Sequence, residues 1–198
     1  MLIFMHEFWM YAQIGFNHIA NLSGMDHILF VAALCIRYQF SDWKKWMILI
    51  TAFTIGHSIT LVLSVFNYLD FSTNWIEFLI PVTILITSIS NMFVKKFSFK
   101  SRFPVIYFFA LFFGLIHGLG FSFYLKSLLG LQQNIAPALL AFNLGLEIGQ
   151  ILIVMAILVI SFIFVTLLKA SRREFILIVS GGILALSLQM AIERYFHL

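Results

Sequence analysis

From Ala136 to Leu168 the chain carries a single charged side chain, Glu147. A segment of about 20 apolar residues already crosses the hydrocarbon core of a bilayer, so this run has more than the length a span requires. Unpaired backbone groups cost several kcal/mol each in hydrocarbon, which leaves helices or a closed barrel as spanning elements. The run lacks the period-two alternation of barrel strands and therefore reads as helix. The rest of the chain agrees with it: 62% of residues are hydrophobic and 10% charged, with a mean hydropathy of +1.04, outside the range of soluble domains.

Apolar stretches between polar breaks predict an all-α, polytopic transmembrane helix bundle of about six spans, near 24–39, 43–67, 74–95, 103–127, 136–168 and 173–196. The fifth is long enough to tilt, to project, or to bend near Gly145 and Gly149. Residues 4–20 form a further N-terminal helical segment whose Glu7, Gln13, Asn17 and His18 disfavour lipid exposure, so it packs in the bundle or lies at the interface. It lacks the basic start and small-residue cleavage site of a signal peptide and reads as mature protein. With short loops throughout, residues 1–198 read as one transmembrane domain.

Basic residues set the expected orientation. Arg37, Lys44 and Lys45 flank the first loop, Lys95, Lys96, Lys100 and Arg102 the third, and Lys169, Arg172 and Arg173 the fifth, while Lys126 and Arg194 lie elsewhere. The positive-inside rule makes those three loops cytoplasmic and puts the C-terminus, Asp70 and Gln132 on the periplasmic side of a bacterial inner membrane. Short basic clusters between apolar runs explain the net charge of +4 and give no indication of nucleic-acid binding. Cys35 is the only cysteine, so neither a disulfide nor a paired-cysteine zinc module can form within the chain.

Ionisable groups inside spans cost about 2.5–3.5 kcal/mol each and need a reason to be there. The list is short: Asp26 and His27, His57, His117 and Glu147, with His18 just ahead of the first span. A rise of 1.5 Å per residue places His57, His117 and Glu147 roughly 15 Å below one surface, with Asp26 and His27 in the same half of the membrane. Gly24, Gly56, Gly114, Gly118, Gly120, Gly145 and Gly149 flank them and allow close helix approach.

Imidazoles with one or two carboxylates suit zinc, nickel, cobalt or ferrous iron, and a dication would offset the burial of the carboxylates. The expected ligand set is His27, His57, His117 and Glu147, with Asp26 and His18 beside it and Ser58, Thr54, Asn143 and Gln150 as orienting partners. Two readings follow. One is a divalent-metal permease, for which Thr51, Thr87, Ser88, Ser90 and Ser161 are sparse material for an inner half-path. The other is an intramembrane zinc-type hydrolase or transferase acting on a lipid or lipidated substrate, with Glu147 or Asp26 as general base. A polar cluster that only fixes helix packing is the third possibility, and homo-oligomerisation stays open.

The runs NHIANLSGMDHILF, TAFTIGHSITL, FGLIHGLGF and FNLGLEIGQ, in that order along nearly the whole chain, resemble the HupE/UreJ family of bacterial membrane proteins. That resemblance implies an association with nickel or cobalt uptake. The family's hydrogenase-linked members carry a His five residues ahead of an Asp-His pair, and a His-Gly motif with a nearby Glu. Here Asp26-His27 and His117-Gly118 match the cores, seven residues separate His18 from Asp26, and the Glu comes at Glu147 on the next span, a pattern similar to the family's second branch.

Overall fold

The computed structural model describes residues 2–22, 24–69, 71–94, 105–129 and 135–198, the side chains of residues 2–4 and 129 excepted. The helices are α1 (Leu2–Ile19), α2 (Asp26–Cys35), α3 (Trp43–Val65), α4 (Thr73–Phe93), α5 (Ile106–Leu129), α6 (Ile135–Phe162) and α7 (Arg172–Tyr195). A short 3-10 turn, Phe40–Asp42, leads into α3, and a π-helical turn, Ile163–Leu167, ends α6. Among the described residues five helices, α3 to α7, are long and apolar enough to cross a membrane. The basic loop of Lys95, Lys96, Lys100 and Arg102, together with Asp70 and Gln132, lies outside the described residues.

The first expected span needs correction. In place of a helix over 24–39 the chain forms α2 with 10 residues, about 15 Å long and half of what a bilayer core requires. The polar, glycine-containing stretch around Asn21 and Gly24 breaks the helix on its N-terminal side, and at the other end Gln39 and Asp42 form a reciprocal capping box that starts a new turn. The segment 4–20 belongs to α1, which packs in the bundle against α6. The end of α1 meets the start of α2, with the rings of His18 and His27 at 4.4 Å, so the two behave as one interrupted helix.

Two close helix pairs set the geometry. In hydrocarbon, association rests on packing and hydrogen bonds, and small residues let backbones approach. A Cβ on Gly114 would stand 2.2 Å from the carbonyl oxygen of Phe53, and one on Gly145 would stand 1.8 Å from that of Ala12. Each glycine begins a four-residue repeat, Gly114/Gly118 on α5 and Gly145/Gly149 on α6. Gly114 faces Phe53 and His57 while Gly118 faces His57 and Thr60, so α3 and α5 run in the same direction. Gly145 faces Ala12 and Gly149 faces Ile19, which makes α1 and α6 parallel too. Helix α6 therefore continues through these glycines, and they seat α1.

Arginines of α7 hold α4 at both ends. Pro81 lacks an N–H and leaves the Glu77 carbonyl without its helical donor. Arg194 Nη1 donates to that carbonyl at 2.8 Å. At the other end Arg173 donates to the carbonyls of Met92 and Val94, where α4 runs out of partners. Arg37 is buried beside it, donating to Asn91 and Ser90, while Asn91 donates to Ala33 of α2 and Arg172 to the Arg37 carbonyl. These contacts define a basic end, with Arg37, Arg172 and Arg173, and an opposite end, where Asn74 donates to the His197 carbonyl.

Candidate metal centre

Histidines from three helices meet inside the bundle. His18 comes from the last turn of α1, His27 from the first turn of α2 and His57 from the crossing of α3 with α5. One ligand atom from each lies within 4.8 Å of the other two. Three nitrogens at about 2.1 Å from a tetrahedral ion stand about 3.4 Å apart, so modest ring rotation closes the set. His27 and His57 are buried, and the Nε2 atoms of His18 and His27 and both ring nitrogens of His57 are buried without hydrogen-bond partners. Buried polar atoms are normally paired, because each orphan costs about 1–3 kcal/mol. A set of orphan nitrogens converging on one point fits a cation that accepts their lone pairs.

His117 stands next to this group, its ring 5.1 Å from that of His27. Its Nε2 lies 3.0 Å from Thr83 Oγ1, and the Thr83 hydroxyl donates its one proton to the Ile80 carbonyl at 2.7 Å. With its proton given to Ile80, the hydroxyl is set to accept from His117, the tautomer in which Nε2 carries the proton and Nδ1 keeps a free lone pair. That Nδ1 is buried and unpartnered. A hydrogen bond on one ring nitrogen fixing the other as ligand is the usual device of metal-binding histidines.

The carboxylates lie elsewhere. Asp26 Oδ2 accepts from Arg194 Nη2 at 2.7 Å, and Glu147 Oε1 accepts from Thr51 Oγ1 at 2.7 Å across α3 and α6. Neither belongs to the group formed by His18, His27 and His57. Of the expected orienting partners, Thr54 donates to Gln150 at 2.8 Å and Ser58 to the Thr54 carbonyl at 2.6 Å, bonds among themselves and not to an imidazole. Glu77 contributes its backbone, and His197 its carbonyl.

Aromatic rings close the site. Phe121 lies 3.9 Å from His18, Phe142 stacks on His57 at 6.2 Å, and Phe30 and Phe53 lie 4.8 and 5.2 Å from His117. This apolar wall lowers the local dielectric and so strengthens any charge interaction inside it. Sequence reasoning did not single out these rings, Thr83, or the role of Arg194. Thr83 had one legible signal: with Thr87 and Asn91 it falls on a four-residue repeat along α4.

Membrane-length helices around buried imidazoles define an integral membrane protein with a histidine cluster at a helix break. The chain matches the family described as HupE / UreJ protein over residues 3–194 and belongs to that family, which is associated with nickel and cobalt uptake. No curated protein and no solved structure matches it at a significant level.

Proposed function

We propose that this protein is a divalent transition-metal permease of the nickel and cobalt type, whose cargo binds at His18, His27 and His57 with His117 completing the set. The observation that carries this reading is the convergence of three imidazoles from separate helices with their ligand atoms within 4.8 Å and their buried nitrogens unpartnered. All-nitrogen donation suits nickel, cobalt and zinc better than magnesium or calcium. Placement at an interrupted helix is also how transporters build midplane sites. In the proposed orientation the basic end faces the cytoplasm and the C-terminus the periplasm of the inner membrane.

A zinc-type hydrolase would need a carboxylate within reach of metal-bound water. Asp26 is engaged by Arg194 and Glu147 by Thr51, which weighs toward transport. The test is elemental analysis of purified protein followed by uptake into proteoliposomes. Close to one tightly held equivalent of nickel, cobalt or zinc is expected, absent in His57→Ala, with saturable uptake of at least one of these ions. Metal binding without saturable uptake of any of them would overturn the permease.

A further inference from the structure

Between the histidines and the basic end, Thr51 and Thr54 of α3 meet Glu147 and Gln150 of α6, with Asn143 one turn back along α6 beside Phe142. Two bonds already cross this seam, Thr51 to Glu147 and Thr54 to Gln150. Packing alone would be served by those bonds. Two further groups are left over: Asn143 Oδ1, an acceptor, and Gln150 Nε2, a donor on a residue with 0% exposure, are both buried without partners. A bare cation answers only the oxygen. A cation that carries water suits a seam with both kinds of group, with the ion toward the Glu147 carboxylate and a water oxygen toward the Gln150 N–H, and Asn143 Oδ1 one turn nearer the histidines.

The position is as informative as the chemistry. Thr51 precedes His57 by six residues and Glu147 follows Phe142, the ring stacked on His57, by five. At 1.5 Å per residue both lie about 7–9 Å from the histidines toward the basic end. Two helices of opposite direction thus bring oxygen donors to one level, one step beyond the nitrogen donors.

We propose that Glu147, with Thr51, Asn143 and Gln150, forms a second, weaker cation station between α3 and α6, through which a partly hydrated transition-metal ion passes from the histidine cluster toward the basic end. This rests on the permease reading above. Imidazole binds nickel and cobalt more tightly than a carboxylate with hydroxyl and amide oxygens does, so affinity falls along the route and the ion is able to leave. A single carboxylate is enough to offset part of the dication's charge in hydrocarbon.

The experiment is titration of full-length purified protein with nickel chloride, read as bound metal at equilibrium, alongside nickel uptake into proteoliposomes. Wild type should show a tight and a weak class of site. Glu147→Gln should keep the tight class, lose the weak one and slow uptake by about tenfold or more. His57→Ala should lose the tight class. Retention of the weak class in Glu147→Gln, or its loss with unchanged uptake, overturns the station. Loss of the tight class in Glu147→Gln overturns it as well, since Glu147 would then belong to the histidine site. Should Glu147→Gln fail to fold, Thr51→Val keeps the carboxylate and removes its hydroxyl partner, and the weak class should loosen; an unchanged weak class again overturns the station. Failure of wild type to bind any nickel strikes the permease reading itself.

Discussion

Arg194 and Asp26 join the far end of α7 to the first turn of α2 through a 2.7 Å ion pair, and the same guanidinium fills the carbonyl vacancy that Pro81 creates in α4. Three helices are fixed at one point, one residue away from His27. An acidic side chain in the first turn also suits the helix dipole of α2, but Asp26 Oδ1 is buried without a partner. The arginine is therefore the chief compensation for that carboxylate.

Breaking the pair from one side should cost more than removing both partners. Arg194→Gln is expected to destabilise the protein by about 2–3 kcal/mol in detergent, because the Asp26 carboxylate and the Glu77 carbonyl both lose a charged donor. Adding Asp26→Asn should recover part of that loss, with a coupling of about 1–3 kcal/mol in a double-mutant cycle followed by reversible unfolding. Strict additivity would show that the pair carries no interaction energy.

Much of this was legible in the apolar runs and in the short inventory of intramembrane ionisable residues. Spans near 43–67, 74–95, 103–127, 136–168 and 173–196 correspond to α3 to α7, whose boundaries follow from composition alone. Depth along a helix is also readable, since the rise per residue is fixed. Rotation about the helix axis is not. Glu147 and His57 lie within a few residues of the same level, yet Glu147 faces Thr51 while His57 faces His18 and His27. Nor does composition show that the polar stretch after α1 interrupts a helix inside the bundle, because a break and a surface loop have the same residues. His18 enters the cluster through that break.

Gly145→Ala offers a way to remove His18 from the site without touching a ligand. Its Cβ would fall 1.8 Å from the Ala12 carbonyl oxygen, a backbone atom that cannot rotate aside, so α1 must move off α6. Overpacking of this kind costs about 1–3 kcal/mol. Nickel affinity should fall as it does in His18→Ala, and the two substitutions together should do little more than either. Gly181→Ala, where nothing lies within 4 Å, is the control and should leave both stability and affinity unchanged.

Ligand-dependent stability gives a readout independent of transport. An ion that binds only the folded state at a hundred times its dissociation constant adds about 2.7 kcal/mol to stability. Nickel or cobalt should raise the unfolding midpoint of wild type by the corresponding amount and leave His57→Ala unmoved, since His57 supplies one ligand atom of the cluster and its ring nitrogens are buried without partners. Equal stabilisation of the two proteins would place the bound metal elsewhere.

The proton count at His117 makes the sharpest prediction about an individual side chain. With its hydroxyl proton given to Ile80, Thr83 is set to accept from His117 Nε2, the tautomer that leaves the buried, unpartnered Nδ1 with its lone pair. Thr83→Val keeps the volume and removes the acceptor, so the imidazole loses both its fixed tautomer and its orientation. Losing such an orienting partner typically costs about 10–100-fold in metal affinity. Thr83→Val should therefore weaken nickel binding by an amount within that range, His117→Ala should weaken it by at least as much, and the double variant should match His117→Ala alone. Thr83→Ser restores the hydroxyl and should recover wild-type affinity. If Thr83→Val binds nickel as wild type does while His117→Ala does not, the hydroxyl has no hold on the ring.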